Sequence, residues 1–277
     1  MALELRLVDD KVAARWDETL TQYPDWSVFQ TNAWLRFIEE TQGVHSLRLG
    51  IFDGETLLGL WPAAEFRKGP FRPLGSPMKG WVTRRMGPAS NGLRATELLE
   101  SWCRFLKQQG FHHAQVSHPT FTGDLAKGAG LDVAEGMAYV CPIPPTEERI
   151  LAQFHRSCRY YTRKALGIGV VVEETDDPLL ADHFYYQLED VFGKKGLRPT
   201  YPKSLIKTLL SVMRPTGRLQ TIWAKFEGKV IGTAINVIGN GVLHALGWAS
   251  LRSAQDRWPN ENPSSSWRCG WPLSEAA

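Results

Sequence analysis

Three arginines lie at helical spacing in the segment over residues 154–166. Arg156, Arg159 and Arg163 occupy positions i, i+3 and i+7, so in a helix they project from one face, with Tyr160 beside them. Guanidinium groups at this spacing can hold a phosphate through paired hydrogen bonds. The pattern therefore predicts a helix that binds a phosphate-bearing ligand. The alternative is a solvated helix face, whose arginines could also pair with Asp or Glu.

Two further side chains could move a proton near neutral pH. His244 lies on a predicted strand over residues 242–248, and an imidazole there could act as a general base. A histidine on an apolar strand face can equally be a packed, hydrogen-bonded core residue. Tyr201 falls in a predicted loop between two helices, where its phenol could donate a proton or simply anchor the loop. The residue types leave both alternatives open at both positions.

The histidines and cysteines form no metal-ligand pattern. His112, His113 and His118 lie close in sequence, but no acidic residue at ligand spacing completes a set. The four cysteines form neither a CxxC pair nor a dense framework, which is typical of a reduced chain. The sequence therefore predicts neither a metal site nor a disulfide scaffold.

The composition is that of a soluble globular protein. Of the 277 residues, 43% are hydrophobic and 22% are charged. No apolar run approaches the ~20 residues that a membrane helix needs, and the N-terminus lacks the basic and apolar regions of a signal peptide. These observations predict no membrane span and a cytoplasmic location.

Positive charge is concentrated in the second half of the chain. Residues 1–150 hold 16 Lys/Arg and 18 Asp/Glu, whereas residues 151–277 hold 16 and 11. The second half is therefore the expected location for an anionic ligand, with ordinary surface variation as the alternative.

Turn signals divide the chain into strands and helices. Asp53-Gly54 predicts a hairpin between strands over 46–52 and 56–66, because glycine adopts positive φ without steric cost. A Gly- and Pro-rich loop is predicted over 68–92, and a helix over 94–109.

The second half contains similar signals. A helix is expected to begin after Thr146 and to run, with a break, to Leu166. Glu227-Gly228 and Asn240-Gly241 predict two further hairpin turns.

The hairpins at Asp53-Gly54 and Glu227-Gly228 resemble each other. Each has an aromatic residue, an acid, a glycine, a polar residue, aliphatic residues and a second glycine, and they lie 174 residues apart. This similarity predicts an internal duplication. Three prolines at 142, 144 and 145 mark the junction between the copies. The predicted organisation is a first domain over 1–141, a junction over 142–145, a second, incomplete domain over 146–261 and an irregular tail over 262–277.

Three segments, in this order and spacing, are similar to those of a known family. Residues 29–35 (FQTNAWL) resemble an early helix start, and residues 154–170 resemble a basic helix followed by a glycine turn into a strand. Residues 217–261 resemble a hairpin, the next strand and the entry to another helix. On these segments the chain resembles the GNAT acetyltransferase superfamily in its doubled, FemAB-like form, including the BioF2-like or CelD-like branch.

The resemblance implies an α/β (α+β) chain with two GNAT-like domains, whose mixed central sheets are flanked by helices. It implies an N-acyltransferase that moves an acyl group from acyl-CoA to a small-molecule amine or hydroxyl acceptor. The alternative is a FemAB-type transferase that uses aminoacyl-tRNA and acts on a peptidoglycan precursor. No long helical hairpin typical of tRNA-dependent members is visible, which favours acyl-CoA. A third alternative, from another class, is a non-catalytic binding module or a truncated remnant.

The same resemblance suggests roles for individual residues. The arginine face would hold phosphates of CoA, of a nucleotide-linked acceptor or of tRNA, and Tyr201 would donate a proton to a leaving thiolate. Gln30 and Trp34 could contact the acceptor, although Trp34 could instead belong to the core. Residues 85–92 could form a glycine loop that holds phosphate through backbone N–H groups, or a structural turn.

The family pattern is not continued at the C-terminal end. Members continue beyond the Pro259-Asn260-Glu261 segment with a helix and more strands, whereas residues 262–277 contain two prolines and a run of serines. The expectation is a chain truncated at the C-terminus relative to the family, with a tail foreign to it.

Overall fold

The computed structural model describes residues 3–66, 69–134, 136, 138–194 and 196–251. Its helices are α1 (Asp10–Ala14), α2 (Trp16–Leu20), α3 (Asn32–Gln42), α4 (Ala95–Gln109), α5 (Gly123–Gly128), α6 (Glu147–Gln153), α7 (Arg156–Gly167), α8 (Leu180–Gly193) and α9 (Lys203–Met213). Its strands are β1 (Glu4–Leu7), β2 (His45–Asp53), β3 (Thr56–Glu65), β4 (Pro73–Ser76), β5 (Ala89–Ser90), β6 (His113–Val116), β7 (Val171–Glu174), β8 (Leu219–Phe226), β9 (Lys229–Gly239) and β10 (Val242–Ser250). The predicted irregular tail lies outside the described residues.

The chain divides into two compact units. The first contains the described residues up to 136 together with 208–218 and 237–243, and the second contains the described residues of 138–207, 219–236 and 244–251. Two short segments from the second half of the sequence thus belong to the first unit. The domain boundaries drawn from the proline junction stay a prediction.

The first sheet has the order β1-β2-β3-β4-β6, with β5 paired to β3. It is a mixed sheet because β4 and β6 are parallel, whereas β1–β2, β2–β3 and β3–β4 are antiparallel. The hairpin predicted at Asp53-Gly54 forms, with Asp53 opposite Thr56 and an irregularity between Ile51 and Phe52.

The prediction of a continuous loop over 68–92 is wrong, because this segment contains β4 and β5. All four residues of β4 are buried, although Pro73 and Gly75 are residues that local propensity assigns to loops. The strand is specified by distant partners instead, since Leu74 pairs with Ala114 of β6 and Gly75 with Ala64 of β3. A pairing of this kind leaves no local periodic signal.

The core of the first unit lies between its sheet and α4. Trp61 of β3 and Trp102 of α4 stack with ring centroids 4.7 Å apart and planes 9° from parallel. The Trp61 indole N–H also donates to Ser76 Oγ at 3.0 Å. The buried residues of this hydrophobic core are Leu3, Leu5, Leu49, Ile51, Trp61, Ala63, Leu74, Leu98, Trp102 and Phe105.

Residues near position 240 and Arg218 contact the segment around Trp26 in the first unit. The Asn240 side chain donates to the carbonyl oxygens of Pro24 and Trp26 at 2.8 and 3.0 Å. The Arg218 guanidinium lies 4.8 Å from the centroid of the Trp26 ring. A Cβ at Gly239 would lie 2.9 Å from Val28 Cβ, so the backbone of β9 approaches this region as closely as glycine allows.

The second sheet has the order β10-β9-β8-β7, with β7 antiparallel to β8. Two-residue turns join β8 to β9 and β9 to β10, as predicted. Both positions of each turn have positive φ, at Glu227 (49°) and Gly228 (75°), and at Asn240 (53°) and Gly241 (68°). These values are those of a type I′ turn, whose twist matches that of the flanking strands.

The two halves of the chain repeat one order of elements. In the first half, β1 is followed by α1 to α3 and then by β2, β3 and β4; in the second, β7 is followed by α8, α9 and then β8, β9 and β10. In both sheets the early strand pairs antiparallel with the first strand of the hairpin. The shared order of elements in the two halves supports the duplication inferred from the hairpin sequences. In the described part of the chain, no helix is long and apolar enough to cross a membrane.

Candidate functional site

Helix α7 presents the arginine face that the sequence predicts. The break before it falls at Phe154 and His155, and the His155 imidazole accepts from Ser157 N at 3.4 Å as the N-cap. Cys158 on the opposite face is buried, and Ala165 packs against the small core of Val170, Ala224 and Ile231. Packing of that face leaves the arginine face toward solvent.

The three arginines differ in what they contact. Arg159 Nη1 donates to the carbonyl oxygens of Ala152 and Phe154 at 3.2 and 2.8 Å, which satisfies acceptors at the C-terminal end of α6. Arg156 and Arg163 are exposed, and within the described chain neither forms an ion pair. An exposed face of this kind agrees with the solvated-face alternative as well as with phosphate binding, so the binding role of these arginines stays a prediction. Tyr160, 59% exposed, lies beside this face.

Tyr201 lies between α8 and α9 and is half-buried. Burial, and secondarily the neighbouring Tyr185, raises the pKa of its phenol above the ordinary 10.0. The start of α9 is held to α8 by Lys203, which donates to Asp182 at 3.0 Å. At neutral pH the Tyr201 phenol therefore keeps its proton, so it can donate a proton or a hydrogen bond and can also accept a hydrogen bond.

His244 is half-buried on β10. The sequence predicts that His244 shares an apolar strand face with Val242 and Trp248. These two side chains are 41% and 38% exposed, so the face is partly accessible to solvent. The catalytic role of His244 and that of Tyr201 stay predictions.

Gln30 and Trp34 lie in the interior of the first unit. Gln30 Oε1 accepts from Ser27 N at 2.6 Å and its Nε2 donates to the Gly87 carbonyl oxygen. The Trp34 indole N–H donates to Thr83 Oγ1 at 2.9 Å, and the side chain has no exposed surface. These contacts agree with the core interpretation of Trp34, and contact of either residue with an acceptor stays a prediction.

The sequence alone did not indicate a cluster of three ionisable groups in the first unit, His118, Arg85 and Asp25. The cluster lies near Gly87. His118 packs so closely here that a Cβ at Gly87 would lie 2.8 Å from His118 Cβ. Thr120 Oγ1 lies 2.8 Å from Nδ1 of the imidazole. Burial, together with the charge of Arg85, lowers the pKa of His118 from 6.5 to about 4, against a smaller opposing effect of a hydrogen bond with the Pro88 backbone. His118 is therefore neutral at physiological pH.

Asp25 and Arg85 are the charged members of this cluster. Asp25 Oδ1 accepts from Ser90 N at 2.8 Å, and burial raises the pKa of the carboxyl. Burial lowers the pKa of Arg85, an effect that Asp25 opposes. The Ser90 N–H, inside the predicted phosphate loop over 85–92, is thus directed to a carboxylate, which favours the structural-turn alternative for this loop.

Replacing Gly87 with alanine is expected to lower the free energy of unfolding by about 2 kcal/mol, because the added methyl group would displace His118 or the backbone. Chemical denaturation measures this change. Gly128→Ala is the matched control, since a Cβ at Gly128 meets no atom within 4 Å. Equal stability of the two variants would show that the Gly87–His118 contact is not tight.

In the described part of the chain, no group of three or more His, Cys, Asp or Glu side chains could hold a metal ion. His112 and His113 are exposed, whereas His118 belongs to the cluster above.

Comparison with known proteins links the second half of the chain to a domain family and the whole chain to a fold. Residues 152–261 match the family model of the GNAT acetyltransferase domain. The structure resembles the crystal structure of FemX, with a TM-score of 0.68 and 14% sequence identity over 93% of this chain and 83% of that one. It also resembles a conserved protein of unknown function from Bacteroides thetaiotaomicron VPI-5482, with a TM-score of 0.50 and 10% identity over 95% and 86% of the chains. No curated protein sequence matches the chain.

The match confirms the expected GNAT domain for residues 152–261, and the likeness to FemX confirms an α/β fold shared over most of the chain. The matched range includes Arg156, Arg159, Arg163, Tyr201 and His244, whereas Gln30 and Trp34 precede it.

Proposed function

We propose that this protein, which carries a GNAT acetyltransferase domain over residues 152–261, transfers an acyl group from acyl-CoA to an amine or hydroxyl acceptor. The match to the domain family is the observation that carries the proposal. The exposed basic face of α7, near the start of the matched range, supports it because a CoA donor carries several phosphates.

Arg156 and Arg163 are the residues we assign to the donor phosphates. Both are exposed on one face of α7, and in the described residues neither is engaged by an acid. The positive end of the α7 dipole at Arg156 adds to the attraction for anions. Arg159 has a smaller part in this proposal, since one of its amino groups already binds the end of α6.

The transfer itself needs no covalent enzyme intermediate. The acceptor nitrogen or oxygen bonds to the acyl carbon as the C–S bond breaks, so the acceptor loses one proton and the leaving thiolate gains one. Tyr201, whose phenol keeps its proton at neutral pH, is our candidate donor to the thiolate. His244 is the candidate for accepting the acceptor's proton.

A second candidate function is that of a FemAB-type transferase, which would take an aminoacyl group from tRNA to a peptidoglycan precursor. The likeness to FemX favours it. The same arginines would then bind tRNA phosphates. A non-catalytic binding module is the third possibility, and the cytoplasm remains the proposed location.

The choice among these functions is tested by measuring both donors with the same protein. Release of free thiol from acetyl-CoA and longer acyl-CoAs, with panels of amines and alcohols, is expected for the first function. Labelling of a peptidoglycan precursor from charged tRNA, without thiol release, would establish the second. If neither reaction occurs and the protein melts cooperatively without a shift on adding CoA, the result would favour the non-catalytic binding module.

The double variant Arg156→Gln, Arg163→Gln is expected to weaken CoA binding by about 10- to 100-fold, since the loss of two solvent-exposed charged contacts should cost about 1.4–2.8 kcal/mol in total. The affinity of the natural protein should fall steeply with salt, and that of the variant less so. Isothermal titration at several salt concentrations measures both effects. The control is Arg149→Gln on α6, which removes an equally exposed charge. Unchanged affinity and salt dependence would remove the α7 face from the proposal.

A further inference from the structure

We infer that the peptide bond between Tyr139 and Val140 is a cleavage site for an endoprotease that cuts after aromatic residues, and that the cut chain stays folded as two associated fragments. The site lies before the range matched by the GNAT domain, and the inference does not depend on acyl transfer.

The two side chains that flank this bond stand almost entirely in solvent. Tyr139 and Val140 are 98% and 87% exposed, the highest values among the large hydrophobic residues of the described chain. Single apolar side chains are common on protein surfaces, whereas two neighbours with so little contact are not held by any packing. The specificity pocket of a protease therefore has access to Tyr139 in the folded chain.

The backbone around this bond is unpaired. Residues 138–145 belong to no helix or strand, and within the described chain none of their backbone groups bonds to another backbone group. An extended segment with free N–H and C=O groups can add as a strand to a binding groove, with a side-chain pocket giving specificity. The segment thus offers the conformation that a protease binds, without prior unfolding.

The prolines that follow keep this segment out of regular structure. Pro142, Pro144 and Pro145 have no backbone N–H, and each disfavours the helical conformation in the residue before it. Helix α6 accordingly begins only at Glu147. The bond after Tyr139 therefore cannot be hidden by an extension of that helix.

Exposure of a tyrosine is not sufficient for cleavage. Tyr160 and Tyr186 are 59% and 62% exposed, but they lie within α7 and α8. The backbone hydrogen bonds of those helices must break before a protease can bind the chain in extended form. Tyr139 combines an exposed aromatic ring with an unpaired backbone, and this combination singles it out.

The cleavage is a simple hydrolysis. Water gives its hydroxyl group to the carbonyl carbon of Tyr139 and its proton to the nitrogen of Val140 as the C–N bond breaks. The protease and water supply everything that the step needs. The new carboxylate and amino termini both lie at exposed positions, so neither places a charge in the core.

Both sides of the cut contribute to the first unit. Its N-terminal part ends at residue 136, before the cut, whereas its segments over 208–218 and 237–243 come after the cut. Leu209, Met213 and Val237 of these segments are at most 1% exposed. Separation of the fragments would return such apolar surface to water, which opposes separation.

Specific contacts also join the two sides. Asn240 donates to the carbonyl oxygens of Pro24 and Trp26, and Arg218 lies over the Trp26 ring. None of these contacts involves residues 138–145. Cleavage after Tyr139 therefore leaves them intact, and the first unit holds the two fragments together.

Limited digestion of the full chain with chymotrypsin under native conditions tests the site. Among the bonds of the described residues, we expect the one after Tyr139 to be cut first, giving a fragment that mass spectrometry shows to begin at Val140. Tyr139→Ser should slow the appearance of this fragment at least tenfold. Tyr186→Ser, which removes an exposed tyrosine from a helix, is the control and should leave the rate unchanged. A first cut elsewhere in these residues, or an unchanged rate in Tyr139→Ser, would overturn the site.

Size-exclusion chromatography of the cut protein tests the association. The fragments should elute together in buffer and separate only in urea. Asn240→Gly removes the contacts with Pro24 and Trp26 while glycine keeps the positive φ of 53°, so its fragments should separate at a lower urea concentration. Glu227→Gly, at the same position of the other type I′ turn with φ 49°, is the control.

Separation of the fragments without urea would overturn the inference of a two-fragment protein. So would equal resistance to urea of Asn240→Gly and Glu227→Gly, because the contacts around Trp26 would then not hold the fragments. Neither measurement uses catalysis, so a failed acyl-transfer assay leaves both tests intact.

Discussion

Trp102→Ala is expected to lower the free energy of unfolding of the first unit by about 4 kcal/mol, because removal of a buried tryptophan loses its transfer free energy and leaves a cavity. Trp102 is 1% exposed and stacks on Trp61, which is itself fully buried. The variant also loses the ring that stacks on Trp61, whose indole N–H donates a hydrogen bond to Ser76. A typical domain is stable by about 5–15 kcal/mol, so this loss would remove a large part of that stability and raise the unfolded fraction steeply on warming.

Chemical denaturation followed by tryptophan fluorescence measures this loss. Trp102→Phe should recover part of it, since an aromatic ring still fills most of the space. Gln108→Ala, at an exposed position of the same helix, is the control and should change stability by no more than about 0.5 kcal/mol. A cost below about 1 kcal/mol for Trp102→Ala would show that α4 does not pack on the sheet as described.

Acidification is expected to remove about 3 kcal/mol of stability through His118. The pKa of this imidazole is lowered in the folded chain from 6.5 to about 4, by burial first and by the charge of Arg85 second. The unfolded chain therefore binds a proton at a higher pH than the folded chain does. The contribution of His118 is fully present above pH 6.5 and is lost as the pH falls toward 4.

The pH prediction is measured as the difference between the natural protein and His118→Gln across that range, which subtracts the titration of carboxylates. The natural protein should lose stability on acidification more steeply than this variant. His113→Gln, at an exposed position of β6, is the control for the substitution itself. Parallel curves for the natural protein and His118→Gln would contradict the predicted pKa shift.

Local signals predict the elements that glycine, caps and periodicity specify. The turns at Asp53-Gly54 and Asn240-Gly241, and helix α4 with its end at Gly110, follow from residue types within a few positions. Strand β4 does not, because its place depends on pairing with β6 about 40 residues later, which no short window of sequence contains.

The same distinction applies to the candidate sites. That Arg156 and Arg163 share one face of α7 follows from their helical spacing. The contact of Arg159 with the end of α6 could not be anticipated, since it depends on where the chain bends between the two helices. Asp25 and Arg85 come from distant loops, and only the fold brings them into one cluster.

Asn240, Gly239 and Arg218 have a consequence for biosynthesis. They close the surface around Trp26 from positions roughly two hundred residues downstream, so the first unit cannot finish folding while only its N-terminal part has left the ribosome. A nascent chain that has passed the proline junction still exposes Trp26 and Val28, and chaperones have the opportunity to bind there. For the same reason, expression of the two halves of the sequence as separate fragments would yield an N-terminal fragment with an open core.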